Sequence, residues 1–288
     1  MEYFCFKTNK KNIIDYLLTN IKNMNMNNIF YSINSFKIYE NIIVHYKGDN
    51  SSEFFSKLSD ILTKCILVFY EENKYRKILY SNYFYFDKLE LEKIFTILKN
   101  TIDNDLNIQN EKKELVWASC LKYISENHSL IIDGFSQFRL LDYDRYLDQL
   151  VDLSVNQYIV EKEYTEFINL LKLYINSKAS SGQIIHLVYQ NGESILLDTN
   201  RNIIIPSEDT FDAKFLSDIS FSSNDYALNT LLTILPKEII IHLIDSSDEF
   251  INTLNLIFEE RIKICTDCNI CNMYKFNKKT HIYTTKSK

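Results

Sequence analysis

Apolar residues recur at helical spacing through a long stretch in the middle of the chain. Between Phe135 and Lys178 there is neither glycine nor proline, and an apolar side chain returns every three or four residues. The apolar positions include Tyr146, Leu147, Leu150, Val151, Ile159, Val160, Tyr164, Phe167, Ile168, Leu171 and Ile175. This period predicts one long helix, or two helices joined at a kink. At roughly 1.5 Å per residue it extends over more than about 50 Å, so segments before and after it must pack against it.

Strand patterns dominate the start of the chain. Tyr3 to Lys7 and Ile29 to Ile33 are typical of strands. Phe36 to Tyr39 and Ile42 to Tyr46 predict a hairpin that turns at Glu40-Asn41. A small sheet is therefore expected near the N-terminus.

Apolar residues at helical spacing predict helices in the rest of the first hundred residues. Thr8 or Asn9 can cap a first helix, and Asp87 followed by Glu90 has the spacing of a capping box at the start of another. A helix between these two carries Phe54, Phe55, Leu58, Ile61, Leu62, Cys65, Ile66 and Phe69 on one side. With the strands, these helices predict a small α+β unit.

Strands and helices alternate in the C-terminal third. Asn191-Gly192 between two short apolar runs predicts a hairpin, because both residues tolerate positive φ. Further on, Glu238 to Ile244 predicts a strand, Ser247 to Phe258 a helix and Arg261 to Ile264 another strand. A strand, a helix and a strand of this length predict a parallel pair with a right-handed crossover.

These patterns together predict an α+β fold. We expect an N-terminal α+β unit in residues 1–105, a central helical region in 111–178, a C-terminal α/β unit in 182–274 and a polar tail in 275–288. The first boundary is placed within Asp103 to Asn110, which is polar and without periodicity.

Composition and charge restrict the classes of function. The 288 residues carry a formal net charge of −6, which does not favour binding to nucleic acid. No run approaches the roughly 20 apolar residues of a membrane-spanning helix. The N-terminus lacks the pattern of a secretion signal, so we expect a cytoplasmic protein with reduced thiols.

Three of the six cysteines are the strongest chemical signal in the sequence. Cys265, Cys268 and Cys271 form C-x-x-C-x-x-C directly after the last predicted strand. Two thiolates separated by two residues can bind one metal ion, and a third extends the site. Tetrahedral zinc and an iron–sulfur cluster would each need a fourth ligand. The same cysteines can also act as a redox dithiol, or lie in an inert turn.

Candidate fourth ligands are His242, His281 and Asp267. His242 lies in the strand that the crossover makes a neighbour of the strand ending at Cys265, and its alternative role is that of a core histidine. His281 lies in the polar tail. The other cysteines, Cys5, Cys65 and Cys120, follow apolar periodicity and are expected to be packing residues.

Other chemistry has weaker support. Asp133-Gly134 could present an anion-binding helix start near Arg139. The simpler interpretation is that Asp133 caps a helix and Arg139 pairs with Asp142 or Asp144; the role of Tyr143 stays open. Because there is no phosphate-binding glycine loop, dinucleotide fingerprint or nucleophile elbow, a nucleotide cofactor is not expected.

Four stretches together resemble the YtxC-like family of sporulation proteins from endospore-forming Firmicutes. They are Ile132 to Tyr143, Val160 to Ile168, Leu231 to His242, and Arg261 to Cys271 with its three cysteines. The resemblance runs from about Leu115 to Cys271. It implies a cytoplasmic protein of sporulating cells, in a family with no established biochemical activity. The family pattern has glycine before the middle cysteine, where this chain has Asp267.

Three hypotheses for function follow. The first is a non-enzymatic factor with a structural zinc held by Cys265, Cys268, Cys271 and His242. The second is a thiol-redox or iron–sulfur protein that uses the same cysteines. The third is a metal-free module that binds an unknown protein partner through the long helix. No catalytic residue is assigned, and no nucleic-acid or membrane partner is expected.

Overall fold

A computed structural model describes residues 1–205 and 222–280 of the chain. Two compact units are present, one formed by Met1–Glu161 and the other beginning at Lys162. Each contains a four-stranded sheet and helices, which confirms the predicted α+β class. Within the described ranges, no helix is both long enough and apolar enough to cross a membrane. The finer division into four segments stays a prediction.

The first unit is built on a sheet with the strand order β2-β3-β1-β4. Its strands are β1 (Glu2–Thr8), β2 (Ile29–Ser35), β3 (Glu40–Tyr46) and β4 (Ser129–Ile131). Neighbouring strands are antiparallel except β1 and β4, which are parallel. The inner face of the sheet presents Phe4, Phe6, Ile42 and Val44, all fully buried, to the helices.

Seven helices belong wholly or partly to this unit. They are α1 (Lys11–Lys22), α2 (Ser51–Phe69), α3 (Glu71–Asn82), α4 (Lys88–Asn104), α5 (Leu106–Glu126), α6 (Ile132–Phe138) and α7 (Leu141–Ser177). The side chains of α7 up to Tyr158 pack in the first core, whereas Ile168 and Ile175 pack in the core of the second unit. The predicted long helix is therefore a short helix followed by one of 37 residues.

Several local predictions for this unit were wrong. The hairpin turns at Phe36 to Tyr39, not at Glu40-Asn41, because β2 pairs along its whole length with β3. Asp133-Gly134 lies inside α6 and is not a loop. Lys10 is the residue that precedes α1, and its side chain forms no capping hydrogen bond. The predicted boundary within residues 103–110 stays a prediction; there α4 ends at Asn104 and Asp105 caps α5.

The second unit has a sheet with the order β6-β5-β7-β8. Its strands are β5 (Ile184–Gln190), β6 (Glu193–Leu197), β7 (Glu238–Leu243) and β8 (Ile262–Cys265). β5 and β6 form the predicted hairpin, with positive φ at both Asn191 and Gly192. β7 is parallel to both β5 and β8, which confirms the predicted parallel pair.

Helices cover both faces of this second sheet. They are the end of α7, α8 (Ser223–Ile234), α9 (Glu249–Phe258) and α10 (Asn269–Thr280). Ile239 and Ile241 of β7 face the core shared with α8 and α9. On the other face, Ile270 of α10 packs against Val188 and Leu197. The candidate site lies on this α10 face.

Candidate metal centre

The central strand of the second unit supplies one of the candidate ligands. Along β7, Ile239 and Ile241 point into the core, so strand alternation places His242 on the opposite face. His242 is 2% exposed, and its cross-strand partner in β8 is Cys265. The parallel pair therefore brings His242 next to the first cysteine of the motif, as the predicted topology required.

The second and third cysteines are held by the start of α10. The backbone N–H of Cys271 donates to Cys268 Sγ over 3.5 Å, and that of Asn272 donates to the Cys268 carbonyl over 2.9 Å. Cys268 thus occupies the capping position of this helix, with sulfur in the role that oxygen usually has. The turn brings both sulfur atoms to the same side of the chain as Cys265.

Four ligand atoms converge at this point. His242 Nδ1 lies 3.3 Å from Cys268 Sγ and 3.5 Å from Cys271 Sγ. Cys271 Sγ lies 3.6 Å from Cys268 Sγ and 3.9 Å from Cys265 Sγ. All four atoms lie within 4.8 Å of one another, so the group can hold a metal ion.

The distances fit tetrahedral coordination. Bonds of about 2.3 Å from a central ion to sulfur and about 2.0 Å to nitrogen imply ligand separations of about 3.8 Å between sulfurs and about 3.5 Å between sulfur and nitrogen. The sulfur pairs at 3.6 and 3.9 Å and the sulfur–nitrogen pairs at 3.3 and 3.5 Å agree with these values. Four of the six ligand separations are therefore close to those of a tetrahedral site, and the remaining two lie within 4.8 Å.

A second histidine orients the first. Nε2 of His242 lies 2.9 Å from Nδ1 of His186 on β5, and the two rings are stacked with their centroids 5.2 Å apart. Because one nitrogen of His242 faces His186, the other faces the thiols. A group that hydrogen-bonds the ring nitrogen not bound to the metal fixes the ring orientation and tautomer of a metal-binding histidine.

Burial and neighbouring charge determine the protonation of the group. Burial lowers the pKa of both histidines, and the Arg201 cation lowers it further. Burial raises the pKa of Cys271 to about 12. At Cys268 burial also opposes ionisation, but hydrogen bonds from Cys271 and Cys265 bring its pKa below the ordinary value. The group thus combines a histidine that is harder to protonate than usual with one thiol that ionises more easily than its neighbour Cys271.

The structure places the other sequence candidates elsewhere. Asp267 is exposed, and its carboxylate accepts a hydrogen bond from Asn272 over 3.3 Å, outside the ligand group. Asp267 does not have positive φ, so this turn does not require glycine. His281 lies outside the described residues. Cys5, Cys65 and Cys120 are buried packing residues, as predicted.

Asp133 lines a cleft of about 730 Å³ in the first unit. Its carboxylate is 2.7 Å from Lys10 Nζ and accepts a hydrogen bond of 2.9 Å from Tyr70. Another charge pair of the cleft joins Lys74 to Asp144 at 2.5 Å. Because Asp133 lies within α6 and pairs with Lys10, it does not cap a helix as the simpler interpretation had it.

The other two residues singled out in the middle of the chain lie apart from both sites. Arg139 is exposed, and no carboxylate in the described part of the chain pairs with it. Tyr143 is buried and donates a hydrogen bond to Glu71. The predicted pairing of Arg139 was wrong, since Asp142 pairs with Arg145 and Asp144 with Lys74.

Sequence reasoning missed two features of the centre. His186 was not singled out, although a histidine in the strand before β7 was a usable signal. The helix start after Cys268 was also missed, because cysteine is not among the usual capping residues. The helix nevertheless begins at Asn269, in the middle of the cysteine motif.

Comparisons with known proteins give one consistent result. The model of the YtxC-like family matches residues 56–263, which include His242 and end two residues before Cys265. A protein of Bacillus subtilis (strain 168) described as "Uncharacterized protein YtxC" is 21% identical over 216 residues, covering 72% of this chain and 75% of its own length. No solved structure matches the chain.

Proposed function

The chain belongs to the YtxC-like family, and we propose that it is a non-enzymatic cytoplasmic sporulation factor whose C-terminal unit holds one structural zinc ion. Cys265, Cys268, Cys271 and His242 Nδ1 are its ligands in this proposal. The observation that carries it is the convergence of these four atoms within 4.8 Å. The part in sporulation rests on the family resemblance alone.

The donor set favours zinc over other common ions. Three thiolates and one imidazole are soft and borderline ligands, which suit zinc and do not suit magnesium or calcium. Cys₃His is an established composition of structural zinc sites. The assignment is consistent with the cytoplasmic location proposed above, since thiols stay reduced in that compartment.

A structural role is favoured over a catalytic one because the protein fills all four positions. Catalytic zinc sites keep one position open for water or substrate. Here each position of a tetrahedron has its own side chain. The ion would tie the end of β8 and the start of α10 to the central strand β7, and its binding free energy would add to the stability of this unit.

Elemental analysis tests the proposal. The protein is purified without oxygen and without a metal-affinity tag, beside a variant with Cys265→Ser, Cys268→Ser and Cys271→Ser. Cys5→Ser is the control, because this cysteine is buried like Cys271 but lies in β1, away from the candidate ligands. We expect about one zinc per chain in the wild type and the control, and none in the triple variant.

Other outcomes would contradict the proposal. Iron with a brown colour would indicate an iron–sulfur cluster at the same ligands. No metal in any sample would leave a dithiol or an inert cluster. Zinc that persists in the triple variant would place the ion elsewhere in the chain.

A further inference from the structure

The edge strand of the first unit is unusually exposed and uncharged. β2 is the outermost strand of its sheet, and none of its seven residues is buried. No charged residue occurs from Asn23 to Phe36. Large apolar side chains in β2 and the following turn are 40% to 66% exposed, namely Phe30, Tyr31, Ile33, Phe36 and Ile38.

None of the usual protections of a free edge is present in β2. Native proteins protect such edges with charges, proline, bulges or very short strands. β2 has neither charge nor proline, and it pairs with β3 over seven consecutive positions without a bulge. Its outer backbone groups are thus available to pair with another strand. The opposite edge strand, β4, has only three residues.

The apolar inner face of the sheet continues onto this edge. Tyr31 is opposite Val44, and Ile33 is opposite Ile42. Val44 and Ile42 are fully buried, whereas Tyr31 and Ile33 are 40% and 42% exposed. The inner layer therefore ends with two apolar side chains that a further strand would cover.

We propose that the occupant of this edge is β2 of a second copy of the chain, paired antiparallel about a two-fold axis at Ser32. In that register, Tyr31 of each copy lies opposite Ile33 of the other on the inner face, and Phe30 lies opposite Asn34 on the outer face. A two-fold contact gives hydrogen-bond partners to the outer backbone groups of β2 in both copies. It joins the two sheets into one sheet of eight strands.

Charge and area favour a second copy. Because β2 is uncharged, the two copies bring no like charges together along the strands. The exposed apolar side chains offer at most about 500–600 Å² on each copy, and so at most about 1,000–1,200 Å² in total, which is at the lower end of specific interfaces. The dimer is therefore expected to be reversible and concentration-dependent.

Sedimentation velocity of the full chain at several concentrations tests the proposal. Ile33→Lys and Phe30→Lys each place a charge in the paired strands and are expected to raise the dimer dissociation constant about a hundredfold or more. Phe84→Lys is the control, since Phe84 is 77% exposed in the same unit but follows α3. It should dimerise as the wild type does.

A second measurement needs no substitution. Amide hydrogen exchange of the wild type should show β2 protected at high concentration and exposed after dilution, while β1 stays protected at both. A monomer at all concentrations would overturn the proposal. So would dimers that survive both edge substitutions, or exchange in β2 that does not depend on concentration; a heterologous partner or another surface would then be indicated.

Discussion

At the scale of single residues, the contact between His186 and His242 is the most informative. Only His242 faces the thiols, but His186 Nδ1 at 2.9 Å decides which nitrogen it offers to them. The sequence offered His186 as a usable signal, but the role of each ring nitrogen depends on the pairing of β5 with β7, which the sequence pattern did not indicate. The cysteine spacing and the crossover, by contrast, were sufficient to bring His242 and Cys265 together.

His186→Phe is expected to weaken zinc binding about 10- to 100-fold, because phenylalanine cannot accept the hydrogen bond from His242 Nε2. His186→Asn should restore part of the affinity, since its side-chain carbonyl can accept that bond. Competition with a chromophoric chelator measures the affinity, and the visible spectrum of the cobalt-substituted protein reports the ligand set. If both variants bound zinc as tightly as the wild type, His186 would contribute only packing and not a hydrogen bond.

A buried ion pair in the first unit leads to another prediction at this scale. Lys112 Nζ is 2.7 Å from Glu71, and these side chains are only 7% and 17% exposed. Tyr143 donates to the second oxygen of Glu71, so the Tyr143 hydroxyl has its partner in a structural network. Burial raises the pKa of Tyr143, which keeps the hydroxyl protonated as a donor.

Lys112→Met should lower the free energy of unfolding by about 3 kcal/mol, because it leaves the Glu71 carboxylate buried without its cation. Adding Glu71→Gln should recover part of that loss. Urea denaturation measures both, with Lys113→Met at the neighbouring exposed position as control. A loss no larger than that of the control would indicate that water replaces the lysine.

At the scale of elements, local capping signals were predictable to different degrees. Asp87 and Glu90 form the predicted capping box at the start of α4, with hydrogen bonds of 2.8 and 2.9 Å. Asn191-Gly192 likewise forms the predicted turn. The start of α10 was hidden because a sulfur replaces the usual oxygen cap. The β2–β3 register was hidden because the turn residues Phe36 to Tyr39 alternate apolar and polar side chains as a strand does.

Asp87→Ala should destabilise the first unit by about 1 kcal/mol, since α4 loses the acceptor for the Glu90 backbone N–H. Thermal unfolding measures the change, and Lys88→Ala at the first position of the helix is the control. If the melting temperature of Asp87→Ala were the same as that of the wild type, water would cap the helix as well as Asp87 does.

At the scale of the whole molecule, the chain consists of two units with separate cores. The sequence predicted the α+β class but not this division, because α7 contributes to both cores while its apolar period continues without a break. The four candidate metal ligands all belong to the second unit.

If the proposed zinc ion is bound there, its removal by a chelator should destabilise the two units unequally. Hydrogen exchange of the full chain should accelerate in β7, β8 and α10, because their cross-link is lost. Exchange in β1 and β3 should stay unchanged. The triple cysteine variant should show the same pattern without chelator, and equal acceleration in both units would contradict a local role for the ion.

The pairing of His242 with Cys265 across β7 and β8 has a consequence for folding fidelity. Side chains alternate between the faces of a strand, so a slip of β8 by one residue would turn Cys265 away from His242. Only chains with the correct alignment would then bind zinc tightly. In that case zinc binding stabilises only the correct register of β7 and β8. The metal content of a sample then distinguishes correctly folded molecules from misaligned ones.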